Sequence, residues 1–120
     1  MYTTASRQAT TYEARVNYIL KNKIIRPGEN FNLIQLSRDY TFYVPAGDEY
    51  RFFFRKAGTA PKPIIEYANA ETLLILSELP QYDIKKLDSW EINQFGREYL
   101  TKPSIYKYND LIIYKLQKKK

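Results

Sequence analysis

The spacing of apolar and polar residues changes period several times along the chain, and each change predicts an element. Tyr12, Val16, Ile19 and Leu20 recur at helical spacing and form one apolar stripe, with Glu13, Arg15, Asn17 and Lys21 largely outside it. Thr10-x-x-Glu13 has the form of a capping box, so this helix is expected to open at Thr10 and to end near Asn22-Lys23, ahead of the Arg26-Pro27-Gly28 turn. Asn30 or Asn32 then stands as the cap of a second helix reaching about Tyr40, with Leu33, Leu36, Ser37 and Tyr40 inward. From Tyr40 to Lys56 the pattern becomes aromatic. Two aromatic runs flank Pro45-Ala-Gly-Asp48 and predict an antiparallel hairpin at the centre of the fold. In its second strand Tyr50, Phe52 and Phe54 point to one face, the core, while Arg51, Phe53 and Arg55 point to the other.

Beyond the proline-broken loop Gly58–Pro63, Ile64–Tyr67 reads as a short third strand. Asn69 is placed to cap a helix over Ala70–Leu79 that is apolar nearly all round and therefore buried. Asp83 caps a further amphipathic helix through Leu100, in which Ile84, Leu87, Ile92, Phe95 and Tyr99 follow helical spacing and Gly96 is tolerated; a break at Gly96 gives instead two short helices resembling a helix-turn-helix. Finally, Ile105–Tyr108 and Leu111–Leu116 flank Asn109-Asp110, a strong hairpin signal whose direct pairs are Tyr108 with Leu111, Lys107 with Ile112 and Tyr106 with Ile113. The sum is an α+β chain: a flexible arm at 1–9, one small domain at 10–116 with two antiparallel β-hairpins packed against three to four helices, and a basic tail at 117–120. The order helix, helix, hairpin occurs in both halves and suggests a duplicated module. The stretch Val16 to Arg38, in particular Ile25-Arg-Pro-Gly-Glu29 followed by Leu33 and Leu36-Ser-Arg38, resembles the opening of a GntR-type winged-helix domain, and a winged-helix-like arrangement is what that resemblance implies. The likeness stops where Arg38 runs into Asp39-Tyr40 and the aromatic run instead of a recognition helix.

Composition narrows the chemistry. The chain of 120 residues has no Cys and no His, which removes thiol catalysis, Ser-His and Cys-His pairs, His-ligated haem and the usual zinc sites. Its glycines, at 28, 47, 58 and 96, form no phosphate-binding loop. Asp83, Asp88 and Glu91 share one segment but read as solvated surface, so no metal, no cofactor and no enzymatic activity are expected. The N-terminal residues lack the apolar core of a signal peptide, and no run approaches the ~18 apolar residues of a membrane span, so a soluble protein in the cytoplasm or another intracellular compartment is expected.

Net charge is +6, and the cations concentrate at the ends: five Lys and Arg against two Asp and Glu in residues 1–30, seven against three in 91–120. That balance favours an anionic partner. Nucleic acid requires a cation track and, for single strands, exposed aromatic faces. Arg51, Phe53, Arg55 and Lys56 supply both on the central strand, and Lys107, Lys115, Lys118, Lys119 and Lys120 extend the track through the C-terminal hairpin. The same residues permit a buried Phe53 with the arginines passing it to reach water. The competing expectation is an assembly subunit that docks into a larger complex, or onto an acidic protein, through a Tyr-rich surface. The chain has 12 Tyr against 6 Phe, and interfaces favour Tyr, Phe and Arg.

Overall fold

The computed structural model describes residues 3–36, 47–79 and 83–118. Helix α1 spans Thr3–Lys21, so it begins ahead of the expected Thr10 cap and takes in most of the segment read as an arm. Its apolar stripe lies as expected: Val16 and Ile19 are fully buried, with Tyr12 and Leu20 packed beside them. The helix stops at Lys23, which takes a left-handed conformation (φ 58°). There the Lys23 N–H donates to Leu20 O, the Ile24 N–H donates to Ile19 O, and Ile24 packs in the same cluster as Ile19. This is a Schellman stop with its hydrophobic contact.

The chain then enters strand β1, Phe31–Leu36, where a helix was expected. A second strand, β2 (Thr72–Ser77), likewise replaces the predicted helix over Ala70–Leu79. The two pair in parallel, Phe31 with Thr72 through Leu36 with Ser77. Every residue of both strands is buried. A strand covered on both faces is a continuous apolar run without a period of two, which periodicity alone cannot separate from a buried helix.

Between them lies α2, Asp48–Lys56, in place of the second strand of the central hairpin. The first strand of that hairpin falls outside the described residues. Three features make this stretch helical. Gly47 adopts φ 60°, and a Cβ there would meet Leu33 Cδ1 at 2.6 Å, so the tight entry depends on glycine. Asp48 and Glu49 occupy the first turn and Arg55 and Lys56 the last, each sign facing the favourable end of the helix dipole. Tyr50 and Phe54, four apart, enter the core together.

The segment Ile64–Tyr67, predicted as a strand, is a turn. The predicted helix over 84–100 is broken into a 3₁₀ turn at Ile84–Lys86, a short helix α3 at Trp90–Phe95 and a 3₁₀ turn at Arg97–Thr101. Ser89 caps α3, accepting from the Ile92 N–H at 3.3 Å, and Gly96 ends it at φ 131°. The C-terminal hairpin forms as predicted: β3 (Ser104–Tyr108) and β4 (Leu111–Gln117) pair with Tyr108 opposite Leu111, Lys107 opposite Ile112 and Tyr106 opposite Ile113.

One mixed four-stranded sheet results, in the order β1-β2-β4-β3, with β4 antiparallel to β2. Alternation along the strands builds two cores. On the first face Leu33, Leu74, Leu76, Leu111 and Ile113 meet α1 and α2. On the second, Ile34, Leu36, Leu73, Ile75 and Leu116 meet Tyr67, Ala70, Ile84, Leu87, Ile92, Phe95 and Leu100. The chain is a small α+β protein with this mixed sheet, and among the described residues a helix-helix-hairpin order appears in neither half. Strand β1 stands where the winged-helix resemblance implied a helix. No described helix is long and apolar enough to cross a membrane.

Candidate interaction surfaces

The expected basic-aromatic face does not form, because its residues lie on a helix and point to different sides of it. Arg51 is 2% exposed. Its guanidinium bends around the outer edge of β1 and donates to Lys62 O (2.7 Å), Asn32 Oδ1 (2.7 Å), Tyr67 Oη (3.0 Å) and Leu33 O (3.3 Å). Burial pulls this group below its usual pKa, and the Tyr67 hydroxyl opposes that shift. Phe53 is half-buried beside the first core, with Lys56 Nζ 5.9 Å from its ring centre. Arg55 and Lys56 are exposed, and Lys56 reaches Glu13 on α1 at 3.8 Å.

The C-terminal part of the expected track is divided in the same way. Lys107 is exposed on β3. Lys115 points into the first face, where its ammonium donates to Ile24 O and pairs with Glu29 at 3.5 Å. Lys118 is docked rather than solvated: its backbone N–H donates to Glu71 O, its ammonium donates to Ala68 O at 2.9 Å, and it lies 4.7 Å from the Phe95 ring centre. Lys119 and Lys120 lie outside the described residues. Arg51, Lys115 and Lys118 are thus drawn onto protein oxygens, while Arg55 and Lys56, at the end of α2, and Lys107, on β3, remain exposed.

A polar cluster that sequence reasoning missed sits at the carboxyl ends of the parallel strands. Glu78 follows β2, and its Oε2 accepts from Arg15 (3.0 Å), Tyr50 (2.9 Å) and Gln35 (3.2 Å). Arg15 also donates to the Tyr50 hydroxyl at 2.9 Å, and the Tyr12 ring meets Tyr50 edge-on. Burial first, and the Glu78 charge second, push the Tyr50 and Tyr12 phenols above their ordinary pKa. Its members are 66 residues apart at the extremes of the chain segment from Tyr12 to Glu78, and they meet only where the β1-α2-β2 crossover packs against α1, so no local motif announced them. Arg15 also borders an open groove of about 670 Å³ between α1 (Thr10, Thr11, Ala14) and the hairpin turn Tyr108-Asn109-Asp110. Among the described residues no three acidic side chains gather to hold a metal ion: Asp83 caps a 3₁₀ turn, and Asp88 lies 3.7 Å from Arg97.

Apolar exposure concentrates near the β1 edge. The turn carrying Ile64 and Ile65 is held by Asn32, whose Nδ2 donates to Pro63 O at 3.0 Å and Glu66 O at 3.4 Å. Tyr67, buried, then meets Trp90 edge-on at 6.2 Å. Ile65 is 72% exposed, and Ile64 and Trp90 are each 50% exposed. No family model, no curated protein and no solved structure matches this chain. The class defined by the fold is therefore an α+β protein with a mixed sheet, and function rests on the surfaces described above.

Proposed function

We propose that this chain is a non-enzymatic docking module that binds a protein partner and joins a larger assembly. The observation that carries the reading is the exposure of Trp90, which meets buried Tyr67 edge-on, and of Ile64 and Ile65 on a turn that Asn32 ties to β1. A large aromatic group held against a buried tyrosine, with isoleucines on a hydrogen-bonded turn, loses little freedom on binding, which is the property of interface anchors. Scattered exposed isoleucines alone carry no such weight. Nucleic acid is the second reading, favoured by the net charge of +6 and by the exposed Arg55, Lys56 and Lys107.

One experiment separates the two. Trp90→Ala with Ile65→Asp is expected to leave the thermal midpoint within a few degrees of wild type and to abolish retention of a specific partner, identified by mass spectrometry after capture on the immobilised wild-type chain. Oligonucleotide binding that weakens steeply with salt and ignores both substitutions refutes the docking reading in favour of nucleic acid.

A further inference from the structure

The topology sorts charge toward the two ends of the sheet. Strands β1 and β2 start together at Phe31 and Thr72, and β4 finishes beside them at Gln117. Three segments bring cations to that end. The loop from α1 into β1 carries exposed Lys23 and Arg26, and the Thr72 hydroxyl donates to Glu29 at 3.0 Å, which ties this loop to the first residue of β2. Helix α2 finishes there with exposed Arg55 and Lys56, because Phe54 packs edge-on against Phe31 at 5.1 Å. Lys118 joins them, its N–H donating to Glu71 O just ahead of β2. At the other end, where β1 and β2 finish and β3 turns into β4, stand Asp48 and Glu49 in the first turn of α2, Glu78 after β2, and Asp110 in the hairpin turn.

The exposed apolar turn belongs to the basic end. The Lys62 N–H donates to Phe31 O at 2.8 Å, two residues ahead of Ile64. Arg51 donates to Lys62 O at 2.7 Å, and Arg55 follows Arg51 by one helical turn, so Arg55 stands on the side of α2 that faces this segment. Lys62 is balanced by Glu66 at 3.7 Å. Among the described residues Arg55 forms no ion pair, and Lys56 has only its exposed contact with Glu13 at 3.8 Å, a kind of pair that contributes little. Around Trp90 the signs are mixed, with Glu91 next to it and Asp88 lying 3.7 Å from Arg97. The unneutralised charge beside the isoleucines is therefore positive and lies on the α2 side.

Isoleucines offer no π face for a base to stack on, which disfavours single-stranded nucleic acid at this turn. Apolar anchors rimmed by unneutralised cations suit a protein segment that carries both apolar side chains and carboxylates. We propose, resting on the docking reading, that the partner bound at Ile64, Ile65 and Trp90 is an acidic protein segment: its apolar side chains cover these residues and its carboxylates face Arg55 and Lys56. Lys23, Arg26 and Lys118, on the other segments of the same end, add to the field that draws it in. A surface of one sign raises the rate of encounter with a partner of the other sign, and that gain falls as salt screens exposed charges.

Random peptides selected by surface display on the purified full chain read the partner's chemistry directly. The enriched peptides are expected to be net negative, to carry at least one large apolar residue, and to lose binding to Trp90→Ala with Ile65→Asp. Their association with wild type is expected to slow as salt rises, and to be about tenfold slower with Arg55→Gln plus Lys56→Gln. The salt series keeps the test intact should that double variant disturb folding. Neutral or basic peptides that require Trp90 and Ile65 overturn the acidic partner and leave the docking reading standing. Acidic peptides indifferent to Trp90→Ala with Ile65→Asp overturn the docking surface, and this inference with it. Acidic peptides whose association rate ignores salt overturn the role given to the basic end. No enrichment, with salt-sensitive oligonucleotide binding or without it, overturns both readings.

Discussion

Replacing Arg51 by Ala tests the packing of α2 directly. The guanidinium makes four hydrogen bonds at 2.7 to 3.3 Å around the β1 edge. Two of the acceptors keep other donors after truncation: Leu33 O retains the Tyr67 hydroxyl, and Asn32 Oδ1 retains the Leu33 N–H. A hydrogen bond to a charged group contributes about 1.5–3 kcal/mol, and Lys62 O loses its guanidinium donor. Removing a desolvated cation offsets part of that loss, while the emptied volume of the largest fully buried side chain adds to it. The expected net cost is about 3 kcal/mol, a large share of the ~5–15 kcal/mol that holds a domain together. With a urea slope of about 1–3 kcal/mol per M, the unfolding midpoint followed by far-ultraviolet circular dichroism falls by about 1–3 M. Arg51→Lys, which keeps the charge but not the planar fork, is expected to lose most of the same stability. If both variants unfold with the wild-type midpoint, Arg51 is in solvent and the packing of α2 described above is wrong.

Two further predictions concern groups that the fold draws in. Burial and Glu78 raise the Tyr50 pKa above its ordinary 10.0, so the folded state holds this proton more tightly than the unfolded chain does. The associated stability is complete below the unfolded pKa and is lost as pH rises past it; the urea midpoint should therefore decline above about pH 10, and Tyr50→Phe should flatten that decline while costing about 1 kcal/mol at neutral pH. An equally steep decline in the variant would show that other groups control the alkaline limb. Ending the chain at Gln117 removes the docked Lys118 and should lower the thermal midpoint by about 3–5 °C, corresponding to roughly 1 kcal/mol; an unchanged midpoint would mean that the tail is solvated.

The elements legible in the sequence are those whose signals are local and amphipathic. Asn109-Asp110 between alternating runs defined the turn and the pairing register of the β3–β4 hairpin, and the 12-16-19-20 stripe defined the buried side of α1. Strands β1 and β2 were hidden because helices and loops cover both of their faces. With both faces covered, Phe31–Leu36 and Thr72–Ser77 carry no alternation, and nearby asparagines invited a helical cap. In Asp48–Lys56 the strand preference of aromatic residues outweighed two weaker signals, the acidic-to-basic order along the helix and the Tyr50/Phe54 spacing. That single change of period redirected Arg51 from a surface track to the β1 edge. The capacity of Ser89 to cap α3 was present as a serine three residues before Ile92, but the longer apolar spacing from Ile84 to Tyr99 masked it. The Arg15, Gln35, Tyr50 and Glu78 cluster had no local signal at all, because it forms only where the parallel crossover packs against α1.

The measurement that bears most directly on this account is the set of backbone NMR chemical shifts across 48–56. Helical Cα shifts from Asp48 to Lys56, with contacts from the Arg51 guanidinium to Tyr67 and Asn32, are the predicted result. Extended-strand shifts, with cross-strand contacts from residues 51–55, would contradict it and return Arg51, Phe53 and Arg55 to one exposed face.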